Sequence, residues 1–142
     1  MSLLFVAGIL SLPLNSLATT NVTKEHPVNF NQTISPILSK HCLECHGPDA
    51  NQRKAGLRLD LYDTAISPRK SKPAAILPGN STESLLVRRI TSKNPDERMP
   101  PPGNGTKLSD VEIETLKTWI DEGASYQRHW AFEPVADQQL PR

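Results

Sequence analysis

Apolar side chains recur at helical spacing in three stretches of the chain, and each stretch predicts a helix. The first runs from residue 34 to residue 45, where Ser35 is a candidate N-cap and Pro36 suits a first turn. The residues that share its apolar face are Ile34, Ile37, Leu38, Cys42 and Cys45. This pattern predicts one amphipathic helix that carries both cysteines of the chain.

A capping pattern opens each of the other two helices, Asn80 with Glu83 in one and Ser109 with Glu112 in the other. The third helix is expected to end at Gly123 and to turn its apolar side toward the first helix. That side contains Ile113, Leu116, Trp119, Ile120 and Ala124. An aromatic residue at helical spacing usually belongs to the core, so Trp119 is expected to be buried.

The fold class predicted from these patterns is all-α, a small domain of three to five helices with long proline-rich loops. Residues 57–61 alternate with period two, which indicates a short extended piece and not a sheet. The chain has 142 residues and contains 13 Pro against 7 Gly. With 37% hydrophobic and 5% aromatic residues, the core is modest and something is expected to supplement it.

The net charge indicates which partners to expect, and the N-terminal residues indicate the compartment. Sixteen Lys and Arg against fifteen Asp and Glu give a net charge of +1, so neither nucleic acid nor a membrane surface is an expected partner. Residues 1–18 resemble a secretory signal peptide, with an apolar run over residues 3–14 and Ser16 and Ala18 before the expected cut. We therefore expect an exported, periplasmic or cell-envelope protein, with a flexible segment over residues 19–32, a main domain over residues 33–125 and an extension or linker over residues 126–142.

The chemistry of the chain is concentrated in the string Cys42-Leu43-Glu44-Cys45-His46. Two cysteines this close together close almost no loop, so a stapling disulfide is a poor explanation in an exported domain. The spacing is that of c-type haem attachment, in which two thiols add to the vinyl groups and the adjacent imidazole binds iron. A zinc site would need more Cys or His at matching spacing, and a thioredoxin-like dithiol would need a strand before the motif.

Met99 is the candidate for the opposite side of the iron. The sequence holds two Met, and Met1 lies in the leader. Met99 precedes Pro100, Pro101 and Pro102, and a proline loop is stiff enough to present a sulfur atom. Histidine and methionine together form a known ligand pair of haem iron.

Three further histidines are weaker candidates for this position. His41 is expected to be a surface or capping residue, because it lies five positions before His46 on the same predicted helix. His129 lies in the segment His-Trp-Ala-Phe, where packing or hydrogen bonding is the expected role, and His26 is expected to be solvated.

Basic residues follow the cysteine motif, and three interpretations of them stay open. A solvated surface is preferred; an Arg could instead pair with a haem propionate, or the patch could dock an acidic redox partner. The residues are Arg53, Lys54, Arg58, Arg69, Lys70 and Lys72.

In combination, the motifs over residues 28–134 resemble the planctomycete-type cytochrome c domain. The matching segments are residues 41–49 (HCLECHGPD), 53–60 (RKAGLRLD), 78–79 (PG), 84–86 (SLL), 98–101 (RMPP), 119–124 (WIDEGA) and 129–132 (HWAF). The resemblance implies a cytochrome c-like helical fold with haem on Cys42 and Cys45 and the axial pair His46 and Met99. In that family the domain usually opens a longer exported protein, so this chain is expected to be a fragment of one.

The function expected from the sequence is one-electron, outer-sphere transfer through one covalent haem c, by a domain that is not itself an enzyme and whose redox partner is unknown. A competing hypothesis is a five-coordinate haem that reduces peroxide or binds gas, with Met99 off the iron. The sequence is also compatible with a thiol-disulfide oxidoreductase and with a module whose haem is structural.

Overall fold

The computed structural model describes residues 27–69 and 72–127. These residues form a π-helical turn, Phe30–Ile34, and five α-helices. The helices are α1 (Ser35–His41), α2 (Leu43–His46), α3 (Tyr62–Ile66), α4 (Leu85–Thr91) and α5 (Asp110–Asp121). No strand occurs in these two described stretches, where Arg69 and Lys72 form an isolated bridge. The all-α class is therefore confirmed.

The first helical segment starts earlier than predicted and is interrupted. Asn29, not Ser35, caps it: the Asn29 side chain accepts a hydrogen bond from the Gln32 N–H at 2.9 Å and the π-helical turn follows. Pro36 lies in the first turn of α1, as expected. The predicted single helix is wrong at Cys42, whose φ of −129° and ψ of −40° separate α1 from the one-turn helix α2.

Helix α5 confirms its predicted start. The Ser109 hydroxyl accepts from the Glu112 N–H and the Glu112 carboxylate accepts from the Ser109 N–H, which completes the capping box. Gly123 ends the helix with a φ of +103°, in the left-handed region that glycine adopts readily. Helix α4 also begins near its predicted place, although its N-cap is Ser84.

The core lies where α5 packs against the π-helical turn and α4. Trp119 is 1% exposed, as the sequence predicts, and its indole N–H donates to the Ser125 carbonyl at 3.1 Å. Phe30 and Tyr126 pack against the Trp119 ring, with centroid distances of 5.8 and 5.2 Å. Within the described residues, no helix is long and apolar enough to cross a membrane.

Candidate functional site

The cysteine motif is held by backbone hydrogen bonds at the break between α1 and α2. The Cys42 N–H donates to the Leu38 carbonyl at 2.8 Å, and the Cys42 carbonyl accepts from the N–H groups of Cys45 and His46 at 3.2 and 2.8 Å. These bonds fix three functional side chains within one turn of the backbone. Both thiols are free and half-buried.

Gly47 lets the chain leave this turn. A Cβ atom at Gly47 would lie 2.2 Å from the carbonyl oxygen of Leu43, which belongs to the backbone of α2 and cannot move aside. No side chain fits there without displacing the motif. The requirement for glycine is therefore steric and independent of φ, which is −122°.

The loop after Gly47 folds back over the motif. Its N–H groups at Lys54 and Leu59 donate to the carbonyls of Cys45 and His46, each at 2.8 Å. Leu59 is 3% exposed, so this return places an apolar side chain beside the histidine. The backbone of α2 is thus tied to the loop at its last two helical carbonyls.

Met99 is presented by the proline loop between α4 and α5, and it is half-buried. The Met99 N–H donates to the Arg89 carbonyl at 3.0 Å, which fastens the loop to α4. Further along, Gly105 packs against the buried Pro100, because a Cβ atom at Gly105 would lie 3.4 Å from the Pro100 Cβ. The loop is therefore held at Met99 itself and again at Pro100.

The four side chains predicted from the sequence line one cleft with a volume of about 730 Å³. The cleft falls in the size range of small-molecule and cofactor sites. Its polar and sulfur-bearing lining includes Cys42, Cys45, His46 and Met99, and its apolar lining includes Ala75, Leu57, Leu59, Leu85, Leu86 and Ile90. Met99 comes from a different part of the chain, so the fold and not the local sequence places it there.

Burial shifts the pKa values of two side chains of the motif. It raises the pKa of the Cys42 thiol to about 12. Burial also lowers the pKa of His46; the Lys54 backbone opposes this effect and the Arg69 guanidinium adds to it. A lowered pKa favours the neutral imidazole, which is the form that binds a metal.

Residues 53–72 divide between two roles. Lys54, Arg69 and Lys72 line the cleft; the two lysines are exposed, in keeping with the expected solvated surface, and Arg69 is half-buried. Arg53 donates to the carbonyl of Gly47 at 3.0 Å, and Arg58 pairs with a neighbouring aspartate. Lys70 lies outside the described residues, as do His26, His129 and the predicted leader.

The residues of the cleft fit a haem. Two free thiols, an imidazole, a thioether and an apolar wall share one cavity, which matches the donors and surroundings that a c-type haem needs. The Nδ1 atom of His46 is buried and has no hydrogen-bond partner.

His41 is the residue for which the sequence expectation is wrong. Its side chain is fully buried (0% exposed), and it is neither a surface nor a capping residue. Its Nδ1 atom lies 2.8 Å from the Thr106 carbonyl oxygen, and its Nε2 atom lies 3.1 Å from Glu112 Oε1. Sequence reasoning missed Thr106 and the second role of Glu112, because both are distant in the chain and follow no local pattern.

A helical domain whose cleft combines a CxxCH turn with a methionine from a proline loop is a c-type cytochrome domain. Residues 42–103 match the family model described as planctomycete cytochrome C. The resemblance noted from the motifs is thereby confirmed.

A similar solved structure is the hydrazine synthase of Kuenenia stuttgartiensis. Its identity to this chain is 26% and the TM-score is 0.46, over 72% of this chain. The chain spans 17% of the length of that protein. No curated protein sequence matches this chain.

Proposed function

We propose that this protein is a one-electron transfer domain with a single covalent haem c, carried by an exported bacterial protein. The observation that supports the proposal is the shared cleft: both thiols of the CxxCH turn, the His46 ring and the Met99 side chain line the same cavity. Nothing local in the sequence brings Met99 to the motif. Convergence of these four groups is what haem attachment with His/Met ligation requires.

Each residue has a distinct task in this proposal. Cys42 and Cys45 would hold the haem through thioether bonds, while His46 and Met99 would bind its iron. The haem supplies an iron couple that exchanges one electron. The chain's own contribution is the fixed position of the four side chains and an apolar wall that keeps water from the iron and favours the reduced form.

With both His46 and Met99 as ligands the iron would have no position left for a substrate, so we propose that the isolated domain is not an enzyme. A longer parent protein could use it as a redox module. The cationic lining of the cleft, Lys54, Arg69 and Lys72, suits a ligand that carries carboxylates, and haem has two propionates. The redox partner is not defined by these contacts.

A thiol-disulfide oxidoreductase is disfavoured by the environment of Cys42. Reactive cysteines of that class have a lowered pKa, because the thiolate is the nucleophile. Burial moves the pKa of Cys42 in the opposite direction, to about 12. A thiol in this state is a poor attacking group.

Optical spectra of the purified haem protein test the ligand assignment. We expect a thioether band at the red end of the ferric spectrum and no spectral change when carbon monoxide is added to the ferrous form. Met99→Leu removes the sulfur but keeps an apolar side chain, and it is expected to lose the band and bind carbon monoxide. Rapid carbon monoxide binding by the unaltered protein would contradict His/Met ligation and support a five-coordinate haem.

A further inference from the structure

We propose that His41 is a positioning residue that sets the Met99 loop against the haem-attachment turn. The proposal rests on the proposed His/Met ligation and concerns how the chain maintains it. His41 is the last residue of α1 and directly precedes Cys42. Its side chain is buried, and its two ring nitrogens reach two different segments, the loop before α5 and the first turn of α5.

The first contact reaches the Met99 loop. His41 Nδ1 lies 2.8 Å from the Thr106 carbonyl oxygen. A carbonyl oxygen accepts only, so Nδ1 donates this bond. Thr106 follows Gly105, which packs on Pro100, and Pro100 is bonded to Met99. A continuous path of contacts therefore leads from the residue before Cys42 to the proposed sulfur ligand.

The second contact reaches the start of α5. His41 Nε2 lies 3.1 Å from Glu112 Oε1. The same carboxylate accepts from the Ser109 N–H through Oε2 at 2.8 Å and from Lys40 Nζ at 3.0 Å. Glu112 is thus held by the capping box, and it fixes the rotation of the His41 ring.

The two contacts have different expected consequences. The Thr106 bond acts on the loop that carries Met99, whereas the Glu112 bond connects α1 to α5, which lies beyond that loop. If His41 only stabilised the fold, the two bonds would be interchangeable in their effect on the iron. If His41 positions Met99, the Thr106 bond is the one that matters.

Two polar substitutions separate the contacts. In His41→Asn the side-chain amide nitrogen takes the place of Nδ1, so the Thr106 bond is kept and the Glu112 contact is lost. In His41→Gln the longer side chain reaches toward Glu112, and the Thr106 carbonyl loses its partner. Lys40→Gln is the matched control, because Lys40 contacts the same Glu112 oxygen but its side chain is 61% exposed.

The readouts are the ferric thioether band, the reduction potential and displacement of Met99 by added imidazole. Without the Thr106 bond the Met99 loop is held less firmly, so imidazole should bind His41→Gln about tenfold more tightly than the unaltered protein, which corresponds to about 1.4 kcal/mol. We also expect His41→Gln to show a weaker band and a lower potential. His41→Asn and Lys40→Gln should stay within about twofold of the unaltered protein.

Several results would overturn the proposal. One is a folded His41→Gln protein whose band and imidazole affinity are unchanged, and another is an equal loss in His41→Asn and His41→Gln. Gly105→Ala perturbs the same path from the loop side, since φ at Gly105 is +94°, and it should weaken the band even if His41→Gln does not accumulate. Unchanged ligation in Gly105→Ala would also count against the path. Absence of the band in the unaltered protein would instead refute the proposed ligation.

Discussion

Lowering the pH should reduce the contribution of Glu112 to the free energy of unfolding. The pKa of this carboxyl falls from its usual 4.5 to about 2, first because the Ser109 N–H donates to it and then because His41 and Lys40 contact it. A depressed pKa means that the folded state stabilises the ionised carboxylate more than the unfolded chain does. The resulting stabilisation is fully present above pH 4.5, and it is lost as the pH falls from there through about 2.

The shift sets an upper limit on the magnitude. At 1.36 kcal/mol for each pKa unit, it corresponds to about 3 kcal/mol. The Glu112 side chain is 20% exposed and the Lys40 side chain is 61% exposed, so solvent screens part of the interaction. We expect Glu112→Gln to reduce the free energy of unfolding by about 1–2 kcal/mol at pH 7.

Denaturant unfolding of the haem-loaded protein and of Glu112→Gln, from pH 7 to pH 2.5, measures this difference. The gap between the two proteins should be constant down to about pH 5 and should narrow steadily below that. Glu114→Gln on the same helix is the control, because Glu114 forms a surface pair with Lys117 and its side chain is 68% exposed. A gap that is the same at every pH would refute the electrostatic reasoning.

Three further changes test separate parts of the structure. Gly47→Ala should lower haem incorporation and reduce the free energy of unfolding by about 1–3 kcal/mol, because its Cβ would lie 2.2 Å from a backbone oxygen. Normal haem incorporation and an unchanged free energy of unfolding would show that the turn accommodates the extra methyl group. Trp119→Ala should reduce the free energy of unfolding in denaturant by about 3–5 kcal/mol, whereas the control Val111→Ala, at a residue on the same helix that is 76% exposed, should change it little. Similar losses in the two variants would contradict the placement of Trp119 in the core. Arg69→Gln removes a cation from the cleft and should lower the reduction potential, measured by redox titration, by about 20–40 mV. Arg88→Gln, at an exposed residue, is the control, and an unchanged or higher potential in Arg69→Gln would argue against an iron near Arg69.

Local patterns in the sequence predicted several parts of the molecule. The capping box of Ser109 and Glu112 and the burial of Trp119 are confirmed, because caps and helical periodicity depend on residues within a few positions of one another. The CxxCH motif and its haem chemistry are equally local. The predicted ligand Met99 lies in the same cleft as the motif, although its bond to iron stays a prediction.

Features that depend on the folded chain could not be predicted. Helix α3 is five residues long, and its sequence carries too few turns for a periodic signal. The break at Cys42 occurs inside an unbroken apolar pattern. His41 was expected to be a surface or capping residue because it lies five positions before His46. Its partners Thr106 and Glu112 lie 65 and 71 positions away, so no local pattern indicates these contacts. A buried histidine of this kind is identified by its contacts and not by its neighbours in the sequence.

The mass of the intact protein tests the central claim most directly. The chain would be produced in a bacterium that attaches haem in its periplasm, and would then be treated with a thiol-alkylating reagent before mass spectrometry. We predict a mass increased by one haem, with neither Cys42 nor Cys45 alkylated. A colourless protein of the bare polypeptide mass, alkylated at both cysteines, would contradict the account.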